Sequence, residues 1–435
     1  MMNKRRLRIV ILGAGAGAMM CGSCLRDNAL AGALKRMGHD VVLVPLYTPM
    51  RVDGHEEAQN EVFYGGVNVY MQNASGLFRH TPRVLDWIFD RRWMLKLAGR
   101  YGTNTPVEKL GGLALEILRG EHGTTVKELH RLIGHLQLLK PDVVSLPYLM
   151  FIGAAGPIRD ALKVPVVCEL TGEDIFLEAL AEKDRRACQE VIRKAAADVA
   201  VFVATSQYYA EKMAGYIGVD LSRIAVVYPG IEESMVAAPG QLTTRAERNR
   251  AATVGYFARV CPEKGIGDLV SAMEILRGRP GQEATRLLWG GYLGPKDARW
   301  HAELARRAGS WGEFRPDVSR EDKVAMLDRM DVMSVPGVYP EPKGLYLLEA
   351  WARGVPVVQP RHGSYVELLQ AAEGGVLVEP RNAGALADGL AELLGDQDKR
   401  TKSGRAGWEV VREKFLDRHM AEGMVSVYER AMESS

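Results

Sequence analysis

The chain has 435 residues, a formal net charge of +2, 47% hydrophobic residues and 25% charged residues. This balance excludes an intrinsically disordered chain, which needs low hydrophobicity with high net charge, and a broadly basic nucleic-acid-binding surface. Five cysteines over this length make no disulfide framework and point to a reducing compartment, and the length suits two or three domains.

Met1–Arg8 is basic and Ile9–Leu12 apolar, but that run stops at Gly13, too early for the apolar region of a secretory signal. It reads instead as a first buried strand, Arg8–Leu12. A Gly-rich turn, Gly13–Gly17, follows. A helix is predicted around Asp27–Met37 with Asp27 and Asn28 at its N-cap, then a strand at Val41–Leu46. This β-α-β unit favours a parallel sheet. Glu61–Gln72 reads as paired short strands about Gly65-Gly66, and further buried strands are predicted at Pro141–Leu146, Val164–Leu170, Val199–Thr205 and Ile224–Val227. Pro229-Gly230 breaks the pattern, and the polar stretch Glu232–Arg250, with Pro239-Gly240 inside it, reads as a connection between domains. A second series follows, with strands at Thr253–Phe257, Arg286–Trp289, Val332–Val335 and Val355–Gln359. Its helices run from about Gly267 to Arg277, over Asp297–Ala308 and over Gly344–Arg353, and a long one covers Asp417–Met432. No apolar run approaches the roughly 20 residues of a membrane span. The expected architecture is α/β: two Rossmann-like doubly wound domains facing across a cleft. Residues 1–231 form the first domain, 232–250 the linker, 251–415 the second domain and 416–435 a terminal helix.

Gly13, Gly15 and Ala18 fit G-x-G-x-x-A after a strand, the dinucleotide fingerprint. Its usual acidic partner closes the second strand, whereas Asp40 lies before that strand, so a nicotinamide dinucleotide is disfavoured. Two readings stay open: a tight structural turn, or a turn whose backbone N–H groups, at Gly15 and Gly17, face a ligand. Cys21 and Cys24 form a C-x-x-C pair that Cys168 could approach. They are small buried thiols, a reversible disulfide or part of a metal site. Arg79–Arg100 interleaves Arg and Lys with Trp87, Phe89 and Trp93. Its apolar face packs on its own domain, or the stretch lies peripherally on an anionic membrane. No Asp-x-Asp of the metal-dependent kind and no paired-His motif is present, so no metal is expected.

Two stretches carry chemistry. In Phe257–Gly265, Arg259 and Lys264 follow a strand and precede a helix, placing a planar fork and a mobile point charge where a diphosphate would need them. In Pro340–Ala350, Gly344 opens a helix whose free N–H groups, at Gly344 and Leu345, suit a phosphate. Glu341 lies just before that helix and Glu349 inside it, where carboxylates could meet a sugar and a ribose diol.

The pattern Arg259-x-x-x-x-Lys264-Gly265, followed by Glu341 and Glu349 with seven residues between them, resembles the retaining glycosyltransferases of the glycogen-synthase-like group with the GT-B fold. Further pieces resemble the same family. They are Gly290-Gly291 after a strand, Glu349–Val358, Gly363–Glu367, the hinge Val227–Ile231, Gly38–Val41, Gly65–Phe78 and the helix holding Tyr428. The resemblance implies a cytoplasmic enzyme that moves a sugar from a nucleoside-diphosphate donor to a carbohydrate, lipid or small-molecule acceptor, without metal or cofactor. It implies that Arg259 and Lys264 hold the diphosphate, with Gly15, Gly17, Gly290, Gly344 and Leu345 lining the donor. By the same resemblance Glu349 binds the ribose, Glu341 lies near the donor sugar, and the terminal helix crosses back to the first domain. The chain departs from the family at Lys343, where Phe is frequent, and at Thr171, where a His is frequent. Thr171, Glu173 and Asp174 are therefore the acceptor-side candidates. The alternative is a non-catalytic or epimerase-like binder of nucleotide sugars; release of nucleoside diphosphate without acceptor separates the two.

Overall fold

The computed structural model describes residues 5–15, 22–47, 57–58, 63, 110–246 and 250–434, with backbone alone at 243–246. Gly17, Cys21, Arg79–Arg100 and, apart from Phe63, the strands expected at Glu61–Gln72 lie outside the described residues. The chain forms two compact units, 1–228 with 420–435, and 229–419.

The first unit is built on a parallel sheet of β1 (Arg8–Gly13), β2 (Asp40–Pro45), β3 (Val143–Leu146), β4 (Val166–Leu170), β5 (Val201–Ala204) and β6 (Ile224–Val226). The strands lie in the order β2-β1-β3-β4-β5-β6. The central strands are buried and, apart from Ser145 in β3 and Glu169 in β4, apolar on both sides because helices cover both faces. On β1, Val10 and Leu12 enter one core, with Cys168 and Leu170 of β4. Ile9 and Ile11 enter the other, with Val167 of β4, Leu30 and Leu34 of the helix Gly22–Arg36, and Met420, Met424 and Tyr428 of the helix Asp417–Glu433. The alternation follows from the two-residue period of a strand.

Two expectations fail here. The first helix begins at Gly22, so Asp27 and Asn28 are interior, buried residues and not caps. Arg26 pairs with both Asp27 and Glu169, while Asn28 Oδ1 accepts the Glu57 N–H at 2.8 Å. Cys24 and Cys168 are buried in different cores, on opposite faces of the sheet, so Cys168 does not approach Cys24.

The second unit carries β7 (Thr253–Phe257), β8 (Arg286–Gly291), β9 (Gly312–Pro316), β10 (Val332–Met333), β11 (Val357–Pro360) and β12 (Gly375–Val378), all parallel, in the order β12-β11-β10-β7-β8-β9. β9 and β12 escape a reading by apolar runs because they are the two edges and are largely only half-buried. The polar stretch 232–250 is more than a bare connection. It holds the helix Pro239–Ala246, and Ala237 is tied at both ends, its N–H donating to Ala352 O at 2.8 Å and its carbonyl accepting the Trp408 indole N–H at 2.9 Å.

In each sheet the chain builds outward from its first strand and then returns to that strand's other side. The order therefore reverses between β1 and β3 and between β7 and β10. At such a reversal the loops leaving the two strands part in opposite directions and leave a crevice at the C-terminal edge, where open α/β sheets bind ligands.

Candidate donor site

The loop after β7 and the loop after β10 meet at the second unit's reversal. Val260 N–H donates to Tyr292 O at 2.8 Å and Val338 N–H to Glu263 O at 3.0 Å, so the first loop is tied to the chain segments that follow β8 and β10. Pro262–Lys264 makes a single 3-10 turn, and Gly265 ends it at φ +76°. A Cβ there would run into the Pro336 carbonyl, so only glycine fits.

That turn delivers Lys264 to Glu341, with Nζ 2.6 Å from Oε2. The ammonium also lies 4.9 Å from the Tyr339 ring centre and 5.3 Å from that of Tyr346, within cation–π range. Tyr346 donates its hydroxyl hydrogen to Glu341 Oε2 at 3.0 Å and touches the hydroxyl of Tyr365, which donates to Val335 O at 3.1 Å. Burial opposes both charges. The attraction between Lys264 and Glu341 outweighs it, with Tyr339 also favouring the ammonium and the Tyr346 hydrogen bond the carboxylate. Glu341 is thus held below the usual carboxylate range and Lys264 above the usual ammonium range. Arg259 is exposed and forms no ion pair among the described residues.

The helix Leu345–Ala352 starts at Gly344, φ +69°, with no side-chain cap, and presents its first N–H groups at the same edge. Glu349, one turn further on, has Oε1 2.9 Å from Lys323 Nζ in a buried pair. Lys323 belongs to the helix Arg320–Arg329, and its Nζ sits 5.7 Å from the Phe257 ring centre at the end of β7. Gly290 is explained by packing: a Cβ there would fall 2.7 Å from Met326 Cε. Leu345 is half-buried at the helix start.

The first-unit candidates behave differently. Gly15 lies in the turn after β1 at φ +70°. Glu173 is buried and accepts the backbone N–H of Thr171 at 2.7 Å and of Leu149 at 3.0 Å; burial pushes its carboxyl up against those hydrogen bonds. Asp174 accepts the Tyr209 hydroxyl at 2.6 Å and pairs with Lys212 at 2.5 Å. Both carboxylates brace the turn after β4. Thr171, half-buried, stands at its start.

Sequence reasoning missed Lys323 and the tyrosines. Tyr339 and Tyr346 flank the Glu341 motif directly. Lys323 carried a subtler signal: with Met326 and Leu327 it follows i, i+3, i+4 spacing, which puts it on the buried face of its helix.

Two family models match the chain: Glycosyl transferase 4-like domain over residues 28–230 and Glycosyl transferases group 1 over residues 244–410. A D-inositol 3-phosphate glycosyltransferase from Nocardia farcinica is 31% identical over 287 residues, 63% of this chain and 63% of that protein. A GDP-mannose-dependent alpha-(1-6)-phosphatidylinositol monomannoside mannosyltransferase from Mycobacterium tuberculosis is 31% identical over 227 residues, 49% of this chain and 57% of that protein. The chain thus spans 57–63% of the length of these curated relatives. Sucrose-phosphate synthase from Thermosynechococcus elongatus superposes with a TM-score of 0.71 at 18% identity, covering 99% of this chain and all of that one. Anabaena Alr3699/HepE in complex with UDP and glucose superposes at 0.68 and 17% identity, covering 98% of this chain and all of that one. At such identities the structures speak to fold, and the fold is GT-B. With its sheet units matched by the two family models and its architecture by these structures, the chain belongs to the glycosyltransferases of the GT-B fold.

Proposed function

We propose that the chain transfers a sugar from a nucleoside-diphosphate donor to an acceptor hydroxyl, with retention of anomeric configuration and with neither metal nor cofactor. The observation that carries this reading is the convergence, at the β7/β10 reversal, of Lys264 and Arg259 on one loop with the uncapped helix start at Gly344–Leu345 on the other.

When the glycosidic bond breaks, negative charge gathers on the departing diphosphate. Fixed cations and backbone N–H groups interact more strongly with that charge than with the intact donor, which lowers the barrier. Lys264 is already oriented by Glu341 and by two tyrosine rings, so little reorganisation is needed. Arg259, free of ion pairs among the described residues, can close its fork on a phosphate. Glu341 keeps Lys264 in place and lies beside the donor sugar, while Glu349 takes the ribose hydroxyls. The leaving phosphate accepts the acceptor proton, so no side-chain base is required. Two cations and a helix N-terminus supply what a metal would otherwise supply. Among the described residues no group of three or more His, Cys, Asp or Glu could hold one. The relatives' names and the UDP in the Anabaena complex support a nucleotide-sugar donor; the acceptor is a carbohydrate, a lipid or a small molecule. Among the described residues no helix is long and apolar enough to cross a membrane.

The test is nucleoside-diphosphate release from a panel of UDP-, GDP- and ADP-sugars, without acceptor, in the presence and absence of EDTA. Slow, EDTA-resistant release from one donor is expected, and the anomer of the transferred sugar is read by NMR. Release from no donor refutes the transferase reading, magnesium-restored loss in EDTA refutes metal independence, and an inverted anomer refutes retention.

A further inference from the structure

We infer that Lys323 is a positioning residue that presets Glu349 for the donor's ribose, and so sets a preference for ribose over 2′-deoxyribose. The inference rests on the donor-site reading above. Lys323 stands in the first turn of the helix Arg320–Arg329, where the positive end of the helix dipole disfavours a cation, and its side chain is only 4% exposed. An ammonium in that place is costly unless it is paired. The pairing is specific: Nζ holds Oε1 of Glu349 at 2.9 Å, with the Phe257 ring 5.7 Å away on another side. Glu349 is the more open partner at 10%, and its Oε2 has no hydrogen-bond partner among the described residues. The lysine therefore lies underneath, sealed from any nucleotide. It fixes one carboxylate oxygen and leaves the other open as an acceptor, one turn along the helix whose start would hold the phosphates. A ribose diol offers two hydroxyl donors, and an oriented carboxylate distinguishes it from a sugar that lacks the 2′-hydroxyl. Lys323 acts through Glu349 and touches no ligand.

The experiment is isothermal titration calorimetry on the full chain with UDP, GDP and ADP, and with the 2′-deoxy counterpart of the tightest binder. In the wild type the ribonucleotide should bind roughly tenfold to a hundredfold more tightly, the value of one hydrogen bond to a charged group. Lys323→Met should bring the ribose-to-deoxyribose ratio towards one, and Lys323→Arg should keep most of it. Lys323→Met/Glu349→Gln should show the same ratio as Glu349→Gln alone, since the lysine acts only through the glutamate. If Lys323→Met does not fold, that double variant, which leaves no buried charge, carries the comparison. A folded Lys323→Met that keeps the wild-type ratio overturns the inference, as does a double variant whose ratio differs from that of Glu349→Gln. Equal wild-type binding of both sugars overturns it while the nucleotide site stands. Binding of none of the three diphosphates overturns the donor reading and the inference together.

Discussion

Removing one charge from the buried pair at the candidate donor site tests the geometry independently of any substrate. Lys264→Met keeps most of the side chain's apolar stem and deletes its ammonium, leaving Glu341 with a side chain only 7% exposed. Breaking a buried ion pair from one side costs about 3–5 kcal/mol. Because Lys264 retains 14% exposure, water can reach the gap, and a loss of about 3 kcal/mol is expected. Lys264→Met/Glu341→Gln should recover most of it, since the amide can still accept the Tyr346 hydroxyl. The pH dependence adds a sign. In the wild type Glu341 has a folded-state pKa below its ordinary 4.5. Its contribution is thus present above that value and lost as pH falls through the lower folded one. Without Lys264, burial dominates and the folded pKa rises above the unfolded one, so the protonated form is favoured and the variant's deficit shrinks as pH falls from 8 to 5. Urea unfolding of both proteins at pH 8, 6.5 and 5, followed by the fluorescence of the buried Trp289, Trp351 and Trp408, measures this. A loss below about 1 kcal/mol at pH 8, or a deficit that does not change with pH, refutes the reasoning.

Gly265→Ala should lower stability by about 1–3 kcal/mol through a strained φ and a clash with Pro336, read as a fall in Tm; an unchanged Tm refutes the close approach. In steady-state kinetics with the cognate donor, Glu349→Ala should chiefly raise KM, because the ribose is bound equally before and during reaction. Glu341→Ala should chiefly lower kcat, and the reverse pattern refutes the assignment. Burial holds His301 below its ordinary pKa of 6.5 while Trp289 donates to its Nε2 at 3.0 Å. Its contribution to stability is therefore present above about pH 6.5 and lost as pH falls, and His301→Gln should flatten the stability slope between pH 7 and 5. An identical slope in that variant refutes the point. Glu173→Leu should cost about 1–3 kcal/mol by leaving the buried Leu149 N–H and the half-buried Thr171 N–H without an acceptor, measured by urea unfolding; a loss under about 0.5 kcal/mol refutes the bracing role.

The sequence by itself determined the α/β character and most of the strands, because a central parallel strand buried on both faces is written as a largely apolar run. Ile9–Leu12 and Val201–Ala204 could be little else. It determined the motif positions too, since turns that follow strands need Gly265 and Gly344 where they stand. Tertiary structure alone decided what lies at the sheet edges and which charges meet. Gly312–Pro316 and Gly375–Val378 acquire their strand character from a neighbour on one side; the first has no continuous apolar run, and the second only the three residues Val376–Val378. Lys264 and Glu341 are 77 positions apart, and Lys323 and Glu349 are 26 apart. Glu173, which reads as a free carboxylate, turns back onto its own loop. Apolar burial is a property of each segment and is written locally. A buried charge instead needs a partner within about 3 Å, and which partner arrives depends on how separate loops converge over the sheet.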